Sequence, residues 1–174
     1  METGQPAKAI SPFEQSLKLK PEDLATLWNL VVCSNGAKEE EKRRYWSEVT
    51  IPICERYLKL FPDDETWRVH HALLLRHAGR DAEAREAARR LENLRDGSAL
   101  YNAACLQRML EDDEAGLKTF RQAIEAGFRS IHHITEFLND EDEGIAKLKG
   151  TPEWVEVKEI VEKIEAEATA KAHT

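Results

Sequence analysis

Glycine and proline are scarce in this chain, with eight and six residues among 174. No Gly-rich loop that could cradle a phosphate group is found, and no Gly-x-Ser-x-Gly turn of the kind that carries a nucleophile. The alternating Val, Ile and Thr patterns of strands are also missing. With a charged fraction of 33%, these absences predict an all-α class and give no support to a phosphate-loop enzyme or a serine hydrolase.

Cysteine is infrequent too, and Cys33, Cys54 and Cys105 are widely spaced on apolar helix faces. An odd count of this kind, with no apolar leader at the N-terminus, predicts a reducing compartment, most simply the cytoplasm. No apolar run approaches the roughly 20 residues that a membrane span needs, so we expect no membrane partner. The net charge of -8 argues against a nucleic-acid partner, because such partners are bound through basic patches.

Two stretches of the chain repeat one spacing of small and apolar residues. The first comprises Ala72, Gly79, Ala84, Ala88 and Leu91, and the second, 32 residues later, comprises Ala104, Glu111, Gly116, Phe120 and Ala123. This spacing predicts two antiparallel helices that pack closely, with Ala84 and Ala104 fully buried where the helices cross. A series of such hairpins is typical of helical repeat proteins, which serve more often as binding surfaces than as enzymes.

The hairpin pattern resembles the tetratricopeptide repeat (TPR), whose signature spreads over two helices and ends in proline. The matching positions are Leu27, Leu30, Val31, Ala84, Gly116, Phe120, Ala123, Pro21 and Pro62. The spacing departs from the family's 34 residues, since Val31 to Ala72 spans 41 residues and Ala72 to Ala104 spans 32. We therefore expect an overlong second helix in the first repeat, from about Glu39 to Leu60, with Pro52 bending it or marking an inserted turn.

The C-terminal third resembles the closing repeat of bacterial TPR arrays. The matching segments are Tyr101 to Cys105, Ala123 to Phe128, Leu138 with Asp140 and Asp142, Leu148, and Pro152 to Trp154. In such a unit, short helices cover the open end of the array and an aromatic residue after proline plugs it. Trp154, Val157, Ile160, Val161 and Ile164 recur at helical spacing and predict one apolar stripe on the last helix.

The resemblance implies a right-handed α-solenoid of about three TPR-like hairpins plus a C-terminal capping helix. We expect a mobile tail at residues 1–9 and a single domain at residues 10–172. Within it we assign a half repeat at 10–20, repeats at 22–62, 65–95 and 99–126, and a capping unit at 128–172.

Histidines raise the possibility of metal chemistry. His70, His71 and His77 lie on one predicted helix, but the His-Glu-x-x-His pattern of a zinc site is missing. His132 and His133 precede an acidic run in which the spacing of a calcium loop fails. We therefore expect no catalytic, cofactor or metal site.

The first helix of each hairpin lines the groove of a stacked-repeat protein, and residues three or four apart share its face. This register predicts a partner-binding groove formed by Trp28, Val32, Val69, Leu73, Arg76, His77, Tyr101, Cys105 and Arg108. Aromatic residues beside arginine are typical of energetic centres in interfaces. The groove suits an extended or helical peptide, which could carry acidic side chains. We expect the guanidinium groups of Arg76 and Arg108 to be in solvent. Alternatively, Trp28 and Tyr101 pack between repeats, and the two arginines pair with nearby acids.

The sequence therefore predicts a monomeric, cytoplasmic protein-interaction module that binds a protein or peptide without cofactor. One alternative is a dedicated chaperone for a secreted or aggregation-prone client, which should be insoluble or dimeric without that client. A second alternative is a hydrolase that uses a His and acidic metal site.

Overall fold

The structure, a computed structural model, describes residues 6–138 and 143–172 of the chain. In these ranges it contains ten α-helices and no strand, so the predicted all-α class is confirmed. The helices are α1 (Pro6–Leu19), α2 (Leu24–Gly36), α3 (Glu40–Leu60), α4 (Glu65–His77), α5 (Asp81–Arg89), α6 (Gly97–Met109), α7 (Asp113–Glu125), α8 (Ile131–Leu138), α9 (Glu143–Leu148) and α10 (Pro152–Ala172).

The chain divides into two compact units, residues 1–92 and residues 93–174. In unit 1, helices α1 to α5 each pack on the next helix along the chain. In unit 2, α6 pairs with α7, and α7 contacts α9 and α10. The helices predicted to pair therefore do so as α2 with α3, α4 with α5, and α6 with α7. The single domain at residues 10–172 stays a prediction.

Helix α1 begins at Pro6, earlier than the start at residue 10 expected for the half repeat. Residues 6–9 are thus helical, and the rest of the expected tail lies outside the described residues. Asp140 and Asp142, which contribute to the resemblance to a closing repeat, also lie outside them. In the part of the chain that the structure describes, no helix is long and apolar enough to cross a membrane.

An aspartate starts the first helix of each hairpin. Asp23, Asp64 and Asp96 each accept a hydrogen bond from the backbone N–H three residues later, over 2.9, 3.0 and 2.8 Å respectively. A side-chain oxygen in this position satisfies one of the N–H groups that a helix start leaves unpaired. The three first helices therefore begin in the same way.

The turn inside each hairpin has one residue in the left-handed region, namely Lys38, Gly79 or Glu111, with φ of 58°, 83° and 64°. The next residue donates its backbone N–H to a carbonyl five residues earlier, over 2.9 Å in all three turns. This is the arrangement of a helix ending through a left-handed residue. It explains why Gly79 and Glu111 occupy equivalent places in the repeated spacing.

The overlong second helix of the first hairpin is present, because α3 runs from Glu40 to Leu60 without interruption at Pro52. Proline at this place removes one helical N–H donor. Two hydroxyl groups upstream bond to helix carbonyls, Ser47 to the Arg43 oxygen over 2.7 Å and Thr50 to the Trp46 oxygen over 2.6 Å. Both side chains are fully buried, so their hydroxyl groups are satisfied inside the helix itself.

The predicted packing positions are confirmed, since Ala84 and Ala104 are both 0% exposed. In unit 2 the stripe on α10 also lies where we expect it. Trp154, Val157, Val161 and Ile164 belong to one buried cluster with Leu117 and Phe120 of α7, and Ile160 packs against its edge. The C-terminal helix thus closes the core of unit 2.

We expect Ala104→Leu to destabilise unit 2. A Cβ added at Gly116 of α7 would lie 3.2 Å from the Ala104 carbonyl oxygen, so α6 and α7 approach closely at this point. Extra methylene groups in a packed core cost about 1–3 kcal/mol of unfolding free energy. Urea unfolding followed by circular dichroism measures the loss. The control is Ala166→Leu on the exposed part of α10, and equal losses in both variants would contradict the packing described.

Candidate functional site

In unit 1, an aromatic cluster joins the first helices of the two hairpins. The Trp28 ring of α2 stacks on the His70 ring of α4, with centroids 3.9 Å apart and planes within 13°. Trp67 meets the other side of the cluster edge-on, 5.1 Å from His70. Trp28 remains half-buried, whereas His70 is 8% exposed. The stack therefore presents part of the indole ring at the surface.

Burial controls the protonation of the two histidines in this part of α4. Loss of water around the rings lowers the pKa of His70 and of His77 to about 4. For His77, the positive charges of Arg43 and Arg76 lower the pKa further, whereas Asp64 opposes the effect at His70. Both rings are consequently neutral at pH 7. A neutral ring can be buried without the cost of removing a charge from water, and His70 in addition stacks on Trp28.

The other predicted groove residues of unit 1 differ in exposure. Val32 is exposed and Arg76 is half-buried, with its guanidinium 3.3 Å from the Asp81 carboxylate. Val69 and Leu73 are buried, at 0% and 5% exposure, as is His77. Buried side chains of this kind offer a partner little contact area, so the accessible part of the predicted set in unit 1 is Trp28, Val32 and Arg76.

In unit 2, the predicted groove residues of α6 pack against α8 and the segment before it. The Tyr101 ring stacks on Phe128 at 4.4 Å with planes within 8°, and meets His133 edge-on at 5.5 Å. Burial raises the pKa of Tyr101 and that of Cys105, which share a hydrogen bond. Tyr101 thus packs between consecutive helical segments, which is the alternative that the sequence left open for this residue.

Arg108 is also occupied within unit 2. Its guanidinium carbon lies 4.9 Å from the centre of the Phe137 ring, and Nη1 donates to the Phe137 carbonyl oxygen over 3.4 Å. Nε lies 3.8 Å from the Asp113 carboxylate, and the side chain is only 13% exposed. The expectation that both guanidinium groups are in solvent was therefore wrong for Arg108, because α8 covers it.

The remaining chemistry-bearing side chains form no cluster of metal ligands. Among residues 6–138 and 143–172, no group of three or more His, Cys, Asp or Glu side chains is placed to hold a metal ion. Cys33 and Cys54 are buried and not disulfide-bonded, and burial raises the pKa of Cys54 to about 12. A thiol with such a pKa is not a ready nucleophile at neutral pH.

Comparison with known proteins identifies the fold. No protein-family model matches the chain, and no curated protein matches its sequence. A solved structure of the MamA RS-1 ArsTM double mutant is similar to it, with a TM-score of 0.50 over 96% of this chain and 89% of that one. The neighbour is a helical TPR-like protein. The fold is TPR-like. Sequence identity is 13%, so the likeness concerns the fold.

The TPR-like fold makes α2 and α4 the first helices of their hairpins, the position that lines a groove in stacked repeats. The Trp28–His70 stack lies between these two helices. Sequence reasoning identified Trp28 but treated His70 as part of an amphipathic helix. Trp28 and His70 are 42 positions apart, and no sequence motif links residues at that distance. The sequence showed only that His70, a residue with a flat ring, lies on the first helix of the next hairpin.

Proposed function

We propose that this TPR-like protein is a non-catalytic protein-interaction module that binds a peptide or protein segment on the α2 and α4 face of unit 1. The observation that carries the proposal is the Trp28–His70 stack, which leaves part of an indole ring at the surface beside exposed Val32. Tryptophan and arginine are the residues most enriched at energetic centres of interfaces. A preformed aromatic surface loses little conformational entropy on binding.

Arg76 gives this face a preference for acidic segments. Its guanidinium is half-buried and 3.3 Å from Asp81, whose side chain is 53% exposed and can turn towards water. A carboxylate from the partner can then take the place of Asp81. Val69, Leu73 and His77 are the buried members of the predicted set in unit 1. In unit 2 the candidates are the partly exposed side chains of Tyr101, Cys105 and Arg108.

We further propose a monomer that acts in the cytoplasm without a cofactor or nucleic-acid partner. Three cysteines without a disulfide between them support a reducing compartment. The net charge of -8 disfavours binding to a phosphate backbone.

Peptide selection on the purified full-length protein tests the binding face. Peptides are first enriched from a random displayed library on the parent protein. Their affinities for the parent and for the Val32→Asp and Arg76→Ala variants are then measured by fluorescence anisotropy. We expect Val32→Asp to weaken binding at least tenfold, because it places a charge in an apolar contact. Arg76→Ala should weaken binding severalfold and flatten its dependence on salt, since it removes a charge pair.

Matched controls are available elsewhere on the chain. Val155→Asp makes the same change at a valine that is 46% exposed in unit 2, and Arg89→Ala removes an exposed arginine from α5. Both should leave affinity unchanged. Selected peptides that bind the two test variants and the parent equally would exclude this face.

A further inference from the structure

A polar cavity lies at the turn between α2 and α3 in unit 1. Its volume is about 210 Å³, and it is lined by Ser34, Asn35, Lys38, Glu40 and Arg43. Asn35 follows Val32 by three residues on α2 and shares the face that the helical register assigns to the groove, whereas Ser34, Lys38, Glu40 and Arg43 were not assigned to that face.

Two buried polar atoms in the lining lack a hydrogen-bond partner among the described residues. They are the hydroxyl oxygen of Ser34, a residue that is 0% exposed, and Nε of Arg43. A helical serine commonly satisfies its hydroxyl on a carbonyl four residues earlier, as Ser47 does over 2.7 Å in α3. Ser34 makes no such bond. A buried hydroxyl left without a partner destabilises a fold, so a group in the cavity that accepts a hydrogen bond from Ser34 would stabilise this one.

Hydrogen-bond donors dominate this lining. Lys38 and Arg43 bring positive charge, and Ser34 and Asn35 bring a hydroxyl and an amide. The Asn35 side-chain oxygen already accepts from Arg43 Nη1 over 3.3 Å. The one carboxylate in the lining, Glu40, lies 3.6 Å from Arg43 Nη2 and is 84% exposed, so it is free to swing into water.

The start of α3 adds to the donor character of the site. Glu39 occupies the N-cap position, but its side chain makes no capping hydrogen bond. Its carboxylate instead pairs with Lys42 over 2.6 Å. The first N–H groups of α3 therefore receive no cap from that residue. A negatively charged group with several acceptor atoms would match these donors.

We propose that this cavity binds a small oxyanion, held by Lys38 and Arg43 and by the Ser34 hydroxyl. The shared chemistry is that of carboxylate and phosphate groups, which accept several hydrogen bonds and pair with guanidinium and ammonium groups. Arg43 also lies close enough to His77 of α4 for its charge to act on that ring, but oxyanion binding does not depend on the function proposed for the α2 and α4 face.

Titration of the ¹⁵N-labelled full-length protein tests the site. Sodium phosphate and sodium acetate are added in separate experiments at constant ionic strength, and amide shifts are followed by NMR. We expect saturable shifts confined to residues 34–43, and the tighter of the two salts identifies the class of oxyanion. Lys38→Gln should weaken binding at least fivefold, whereas Lys59→Gln, which removes an exposed lysine from the other end of α3, should not.

Two further variants make the test independent of folding defects. Glu40→Gln removes the competing carboxylate and should tighten oxyanion binding severalfold. Ser34→Ala removes the unpartnered hydroxyl and should raise the melting temperature in anion-free buffer while weakening oxyanion binding. Shifts that rise linearly without saturation, or weaker binding in Glu40→Gln, would overturn the proposal, as would equal affinities in Lys38→Gln and the parent.

Discussion

Trp154→Ala should lower the unfolding free energy of unit 2 by about 3–5 kcal/mol, the usual loss when a large buried aromatic side chain is truncated. The Trp154 side chain is 9% exposed and belongs to the buried cluster to which α6, α7, α8, α9 and α10 all contribute. Its backbone N–H also donates to the Thr151 hydroxyl over 3.3 Å, which places the ring at the first turn of α10. The truncation therefore leaves a cavity at the point where α10 joins the core.

The loss is measurable as a fall in melting temperature. For a chain of this length, 1 kcal/mol corresponds to roughly 2–4 °C, so we expect a decrease on the order of 10 °C by scanning calorimetry. Val155→Ala provides the control, because the neighbouring Val155 side chain is 46% exposed; its effect should stay within about 0.5 kcal/mol. If Trp154→Ala has the same melting temperature as the parent, α10 does not close the core of unit 2.

Acid should destabilise unit 1 through His70 and His77. Their pKa values are lowered from 6.5 to about 4 in the folded protein, first of all by burial. Between these two pH values the unfolded chain binds more protons than the folded chain, so stability falls as pH falls. The contribution is fully present above pH 6.5 and is lost as the pH drops through about 4. At 1.36 kcal/mol per pKa unit, each ring accounts for on the order of 3 kcal/mol.

Variants of the two histidines separate their effect on acid stability from the effects of other groups. His70→Phe keeps a flat ring against Trp28 but cannot take up a proton, and we expect its unfolding free energy to change less between pH 7 and pH 4.5 than that of the parent. The same holds for His77→Gln. His132→Gln is the control, because the His132 side chain is 84% exposed in unit 2. Identical pH dependence in all four proteins would show that the buried rings do not govern acid stability.

Local features of the fold could be predicted because they depend on neighbours in the sequence. The repeated spacing placed Ala84 and Ala104 at buried crossings, where both are 0% exposed. It also aligned Gly79 with Glu111, and both prove to be left-handed turn residues. The stripe that starts at Trp154 was predicted for the same reason, since helical periodicity identifies the apolar side of a helix.

The candidate site was harder to predict, because exposure depends on residues far away in the sequence. Helical register puts Val69 and Leu73 on the face of α4 assigned to the groove, but both are buried. Arg108 looked like a solvated charge until α8 placed Phe137, 29 residues later, under its guanidinium. Periodicity indicates which residues share a face, whereas tertiary packing decides whether that face remains open.

The aspartates that begin α2, α4 and α6 have a consequence for engineering the length of the chain. The interval from Asp23 to Asp64 is 41 residues and that from Asp64 to Asp96 is 32, yet each first helix starts with the same hydrogen bond. A change of length inside one interval is therefore not passed on to the next. We therefore expect that residues can be inserted or removed between two of these aspartates without altering how the next first helix starts.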